Sequence, residues 1–195
     1  TVGGTQNLTL GGVTSGTGQL IKDGAANLTL NGNNTFSGGT TLNAGTLTLG
    51  NANGLGSGGL TVGGAATLDN SASFGIGNAI TLNAGLTVAG NNDLSLNGII
   101  DGAGSLTKNG LSDLTLAGNN TYPGTTAVNS GTLRVTGSLG ATAVTPNFSS
   151  RALINSLIGS AIAIGRRRRA VWGRICSFIS CWKYRFILGL ILLQV

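Results

Sequence analysis

The chain contains no histidine and no methionine, and only 8 % of its 195 residues are charged. Without histidine, His-based catalytic triads and the commonest zinc ligand are excluded. Aromatic residues make up 5 % and prolines number two. So little bulk gives a compact globule with a thick core little to bury. The two cysteines, Cys176 and Cys181, and both tryptophans, Trp172 and Trp182, lie in the last fifty residues. The five acids, Asp23, Asp69, Asp93, Asp101 and Asp113, are dispersed and all precede residue 146. None forms a close sequence pair of the kind that acid–base chemistry uses, although such a pair can also assemble across a fold.

What the chain has instead is glycine, 35 residues of it, with Thr, Asn and Leu. A stack of short strands suits that material, because each strand adds a few Leu or Val to a shared column. The formal charge of +6 hides a division. Up to residue 145 five acids face three bases, Lys22, Lys108 and Arg134. The other eight basic residues lie from Arg151 onward. A shift this sharp marks a boundary, and two regions are expected: 1–145 and 146–195. Residue 1 is Thr, and no leader pattern opens the chain. A fragment of a longer protein is the natural reading, so a missing signal peptide does not argue for the cytoplasm.

Sliding the chain by 86 residues aligns 1–51 with 87–137, and 24 of those 51 positions are identical. Matching at that level is duplication, which takes precedence over any single-domain reading. Inside the unit a shorter beat runs: Leu8/Leu10, Leu28/Leu30 and Leu47/Leu49 lie about 20 residues apart. Each pair alternates apolar and polar, a strand signal with one face buried. Gly and Asn beside each strand permit tight corners. No helical stripe occurs before residue 146. Strands on a 20-residue beat, with links too short for helices, predict a parallel β-helix. Its rungs would be spaced about 4.8 Å apart, and 145 residues give roughly seven circuits. Leu28 and Leu47 are expected to stack inward and Thr29 and Thr48 outward. Phe36 and Tyr122, at equivalent positions, are expected to fill the core at one corner. The runner-up fold is an antiparallel sandwich of short strands.

The repeated pattern G-x-L-x-K-x-G, then LTL-x-G-x-NT(F/Y)-x-G-x-T, then N-x-GTL, resembles the passenger-associated repeat of bacterial autotransporters. Gly18, Leu20, Lys22, Gly24, Leu28–Leu30, Gly32, Asn34–Phe36, Gly38, Thr40, Asn43 and Gly45–Leu47 carry it once. Gly104, Leu106, Lys108, Gly110, Leu114–Leu116, Gly118, Asn120–Tyr122, Gly124, Thr126, Asn129 and Gly131–Leu133 carry it again. The second copy departs at Pro123 and at Ala127 and Val128. The resemblance implies a right-handed β-helical passenger, displayed or secreted by a Gram-negative cell and attached to the outer membrane through a C-terminal barrel. It implies a structural stalk, part of an adhesin, facing an extracellular or host-surface ligand. The family supplies no catalytic, cofactor-binding or metal-binding residue to carry over, and none is expected here. The alternative class is a polysaccharide-active enzyme on the same fold, for which Asp93, Asp101 and Lys108 would have to face one groove.

Other motifs are weaker. Gly54–Gly59 fits G-x-G-x-x-G, but Leu60-Thr61-Val62 follows where a dinucleotide site needs a helix. A solenoid corner is the better reading. Asp101-Gly102-Ala103-Gly104 lacks the complete calcium nonapeptide.

From residue 146 the pattern changes. Leu153, Ile154, Leu157, Ile158, Ala161 and Ile162 recur at helical spacing. Arg166–Arg169 follow, and the end from Phe186 is almost wholly apolar. Three readings compete: a membrane-adsorbing basic tail, a nucleic-acid contact, and a shifted reading frame. The apolar end is too short to span a bilayer, which takes about 20 residues. Nucleic acid is not expected, since the first region continues no basic patch. The third reading is preferred: tandem GGC codons for glycine, read two bases on, become CGG for arginine. The tail is therefore expected to be non-solenoid, part helical or disordered.

Overall fold

The computed structural model describes residues 1–147 and the backbone of 151–154. Alternating Leu-x-Leu and Leu-x-Val segments form short strands because their two faces differ: one side supplies bulk, the other Thr and Ser. Glycine-rich corners turn the chain after each. The strands assemble into three parallel sheets, which are the three faces of a solenoid.

Face A stacks β2 (Leu20–Lys22), β4 (Thr40–Leu42), β6 (Leu60–Val62), β9 (Ile80–Leu82) and β12 (Ile100–Asp101). Face B stacks β1 (Leu8–Leu10), β3 (Asn27–Leu30), β5 (Thr46–Leu49), β7 (Ala66–Asn70), β10 (Leu86–Val88), β13 (Leu106–Lys108), β15 (Thr126–Val128) and β17 (Val144–Pro146). Face C stacks β8 (Phe74–Ile76), β11 (Leu94–Leu96), β14 (Asp113–Leu116), β16 (Thr132–Val135) and β18 (Arg151–Ile154). Every pairing between these strands is parallel. An antiparallel sandwich is thereby excluded. The described residues contain no helix, as the missing helical stripe predicts.

Registers explain the 20-residue beat. Leu8 pairs with Leu28, Leu28 with Leu47, and Leu47 with Leu68. Leu68 then pairs with Val88, Val88 with Lys108, and Lys108 with Val128. This column runs the length of face B, and from Leu28 to Val128 every member is buried. The outward partners Thr9, Thr29 and Thr48 pair alongside it. Each added rung buries the apolar edge of the rung beneath, which is how so glycine-rich a chain obtains a core. At the first rung that cover is missing: Leu8 is 41 % exposed, whereas Leu28 and Leu47 are fully buried.

The circuits toward either end are irregular on one face. In the early circuits this is face C, where Thr35 N donates to Thr14 O and Ser57 N to Phe36 O. In the late circuits it is face A, where Thr121 N donates to Ile100 O.

The ladder does not stop at residue 145, where the sequence places a boundary. β17 reaches Pro146, and β18 pairs with β16. Leu153 and Ile154, read from sequence as the start of a helical stripe, stand in that strand. A short apolar run fits either period, and the open edge of β16 supplies a template that sequence spacing does not show. The remaining tail expectations, including Arg166–Arg169, lie outside the described residues.

Candidate functional site

The side chains that distinguish the repeat from generic strand sequence point mostly inward. Lys22 and Lys108 are 1 % and 2 % exposed. Each occupies an inner position of its strand, where a Leu or Val would be usual. The aliphatic stem packs in the core, and the amine turns to the corner that follows. Lys22 Nζ donates to Gly24 O and, at 3.0 Å, to Ala44 O. Lys108 Nζ donates to Gly110 O. Burial lowers both pKa values from the usual lysine range. Asp23 opposes that shift at Lys22, and Asp113 and Asp93 oppose it at Lys108. A buried amine needs such partners, because leaving it unpaired costs several kcal/mol, on the order of the desolvation penalty.

Asn34 and Asn120 are buried corner residues that fasten neighbouring rungs. Asn34 Oδ1 accepts from Thr14 N at 2.8 Å, and its Nδ2 donates to Gly54 O at 2.7 Å. The side chain thus ties the rung below to the rung above. Asn120 does the same between Ile100 N, at 3.0 Å, and Ser138 O, at 3.1 Å. In both copies the amide side chain supplies donors and acceptors where the irregular face has no complete ladder.

Phe36 and Tyr122 fill the corner beyond, as their bulk predicts; both are buried. Tyr122 Oη lies 2.7 Å from Thr126 Oγ1, which in turn lies 3.2 Å from Thr142 Oγ1. Burial pushes the phenol up to about 12, with the Thr126 hydrogen bond acting the other way. Phe36 has no hydroxyl, and the equivalent Thr40 Oγ1 is buried without a partner.

Glycine closes the corners. Gly45 and Gly131 have φ of 72° and 68°, in the left-handed region. A Cβ at either would come within 2.5 Å of a carbonyl oxygen one rung below, that of Gly24 or of Gly110. Only glycine permits both that backbone and that approach.

The acids do not assemble. Asp101 is exposed at the end of β12 on face A. Asp93 precedes β11 on face C, where its Oδ1 accepts from Asp113 N at 2.9 Å. Lys108 is inside the shaft. The groove of Asp93, Asp101 and Lys108 that an enzyme reading needs is therefore not formed. Asp113 meets Arg134 at 3.6 Å on the surface. Among the described residues no group of three His, Cys, Asp or Glu could hold a metal. Gly54–Gly59 forms a turn leading into β6 with Leu55 buried in the core, which is the corner expected of it. A shallow hollow beside Phe36 is lined by Thr14, Ser15, Gly18, Gln19 and Leu20, with no titratable side chain.

The inward role of the lysines was not read from sequence. A signal was present: Lys sits at an alternation position, two residues after an inward Leu, in both copies.

The family model described as the passenger-associated-transport-repeat matches residues 20–49 and 106–135. These two segments are copies of that repeat, 86 residues apart. They hold the lysines, the buried asparagines, the corner aromatics and the glycines just described. No curated protein and no solved structure matches the chain.

Proposed function

We propose that this chain is a stalk segment of an autotransporter-type surface passenger, whose work is to hold a rigid extended shaft between a cell surface and whatever lies beyond. The carrying observation is where the repeat places its distinctive residues. Lys22, Asn34, Phe36 and their counterparts Lys108, Asn120 and Tyr122 are all buried and bind the chain to itself. A repeat that points its distinctive side chains inward is selected for the shaft, not for a ligand. The outer faces present Thr columns such as Thr41, Thr61 and Thr81, paired in register on face A. No enzymatic role is assigned to it. Membership of an adhesin and contact with a host-surface ligand belong to this proposal as the setting of the stalk.

The experiment places an epitope at the amino end of the full chain and joins the chain to an autotransporter barrel in a Gram-negative host. Antibody should reach the epitope on intact cells, and external protease should release the passenger in large fragments. An epitope reached only after lysis would overturn the reading. So would release of reducing sugars from polygalacturonate by the purified chain.

A further inference from the structure

The repeat and the circuit have different lengths. Four circuits of about 20 residues fall short of the 86-residue unit by roughly six residues, which is one face of the shaft. The strands show the result. β1 lies on face B, and its counterpart 86 residues on, β11, lies on face C. β2 and β4 lie on face A, and their counterparts β13 and β15 lie on face B. β3 and β5 lie on face B, and β14 and β16 lie on face C. All five strands move by the same step. The irregular face moves with them, from C to A.

Midway along face B, β7 carries a shift between inner columns. It is five residues long, with Ala66, Leu68 and Asn70 buried in alternation. Toward β5 it offers Leu68 and Asn70 to Leu47 and Leu49. Toward β10 it offers Ala66 and Leu68 to Leu86 and Val88. The inner column beginning at Leu10 ends on Asn70, and a new one begins at Ala66.

Local chemistry survives the rotation. Lys22 and Lys108 make the same bond to the glycine two residues on, although one stands on face A and the other on face B. Asn34 and Asn120 accept from residues 20 earlier. Gly45 rests on Gly24 as Gly131 rests on Gly110. Each rung depends on its neighbours and is indifferent to its face. We propose that the 86-residue repeat is the unit in which this shaft changes length, and that each unit gained or lost turns everything beyond it by one face. The inference goes beyond the stalk reading and holds for the solenoid wherever it is displayed.

The test uses the full chain with Cys176 and Cys181 replaced by Ser. One variant lacks residues 30–115, a whole repeat unit, and joins Thr29 to Leu116. The register Thr115↔Arg134 should then become 29↔134, while 9↔29 is retained. Residue 134 would thereby leave face C for the face B column of Thr9. Cysteines replacing Thr29 and Arg134 should cross-link under mild oxidation about tenfold more in this variant than in the intact chain, since stacked parallel neighbours fall within disulfide reach. Cysteines replacing Thr9 and Thr29 should cross-link in both. A control lacks residues 29–108, four circuits along the face B register, which keeps every distal residue on its face but places Leu28 where Lys108 stood. It should melt well below the 30–115 deletion. Failure of the 29–134 cross-link, or a control at least as stable, would overturn the proposal.

Discussion

The two copies of the repeat share nearly half their residues, stand on different faces, and still make the same internal bonds. They differ most informatively at one corner. In the second copy Tyr122 reaches Thr126, and Thr126 reaches Thr142. In the first, Phe36 fills the same space and leaves Thr40 Oγ1 buried without a partner. The packing is preserved and the polar network is not. The motif therefore demands bulk at this position. The hydroxyl is an addition that one copy completes and the other lacks, and burial alone suffices to close the corner.

Substitutions at equivalent positions can break or sharpen that comparison. The largest effect is expected at the closing glycines. Gly45→Ala and Gly131→Ala each add a Cβ against backbone oxygen at a positive φ, and each should cost roughly 2–4 kcal/mol in urea denaturation. Unequal losses, with one copy tolerating alanine, would mean that the two corners are not the same structure.

Next come the lysines. Lys108→Ala removes a buried stem and the partner of Gly110 O, and a loss of about 2 kcal/mol is expected. Lys22→Ala should cost less, because that residue lies beside the uncovered first rung. Both lysines have pKa values lowered by burial. From the folded pKa up to the unfolded value near 10.5 the unfolded chain therefore binds more protons, and stability rises with pH through that window. The Lys108→Met variant should show a flatter rise.

Tyr122→Phe should cost about 1 kcal/mol, and Phe36→Tyr should gain a comparable amount by supplying Thr40 with a partner. The phenol at about 12 gives this pair a second signature. Between pH 10 and 12 the unfolded tyrosine releases its proton and the buried one does not, so stability falls across that range. Denaturation midpoints measured against pH should lose that fall in Tyr122→Phe and steepen it in Phe36→Tyr. A Phe36→Tyr chain less stable than its parent would show that the first corner is too tight for the hydroxyl.

The smallest effect is expected at the surface. Arg134 and Asp113 are 3.6 Å apart and both nearly half exposed. Arg134→Ala should shift stability by no more than about 0.5 kcal/mol. A larger loss would mean that the outer faces contribute more to the shaft than the Thr columns suggest.

Much of the architecture was legible in the residues. Alternation of Leu with Thr marked the strands, and recurrence of Leu8, Leu28 and Leu47 gave the circuit. The bulk of Phe36 and Tyr122 marked the corner. The two lysines were harder to place, because a charged residue in a strand reads as solvated unless its partners are known, and those partners are backbone carbonyls. The strand Arg151–Ile154 was missed for a related reason. Its residues suit two periods, and the neighbouring edge of face C chooses between them.

The sequence alone determined that residues 1–145 would be a stack of short strands, since the sizeable apolar groups there alternate and return about every 20 residues. It also determined that the 86-residue unit occurs twice. Only the tertiary structure decided on which face each copy stands. That depends on how many residues close each circuit: along face B the circuits take 19 to 21 residues, so 86 residues make four circuits and about one face more, and the second copy stands one face on.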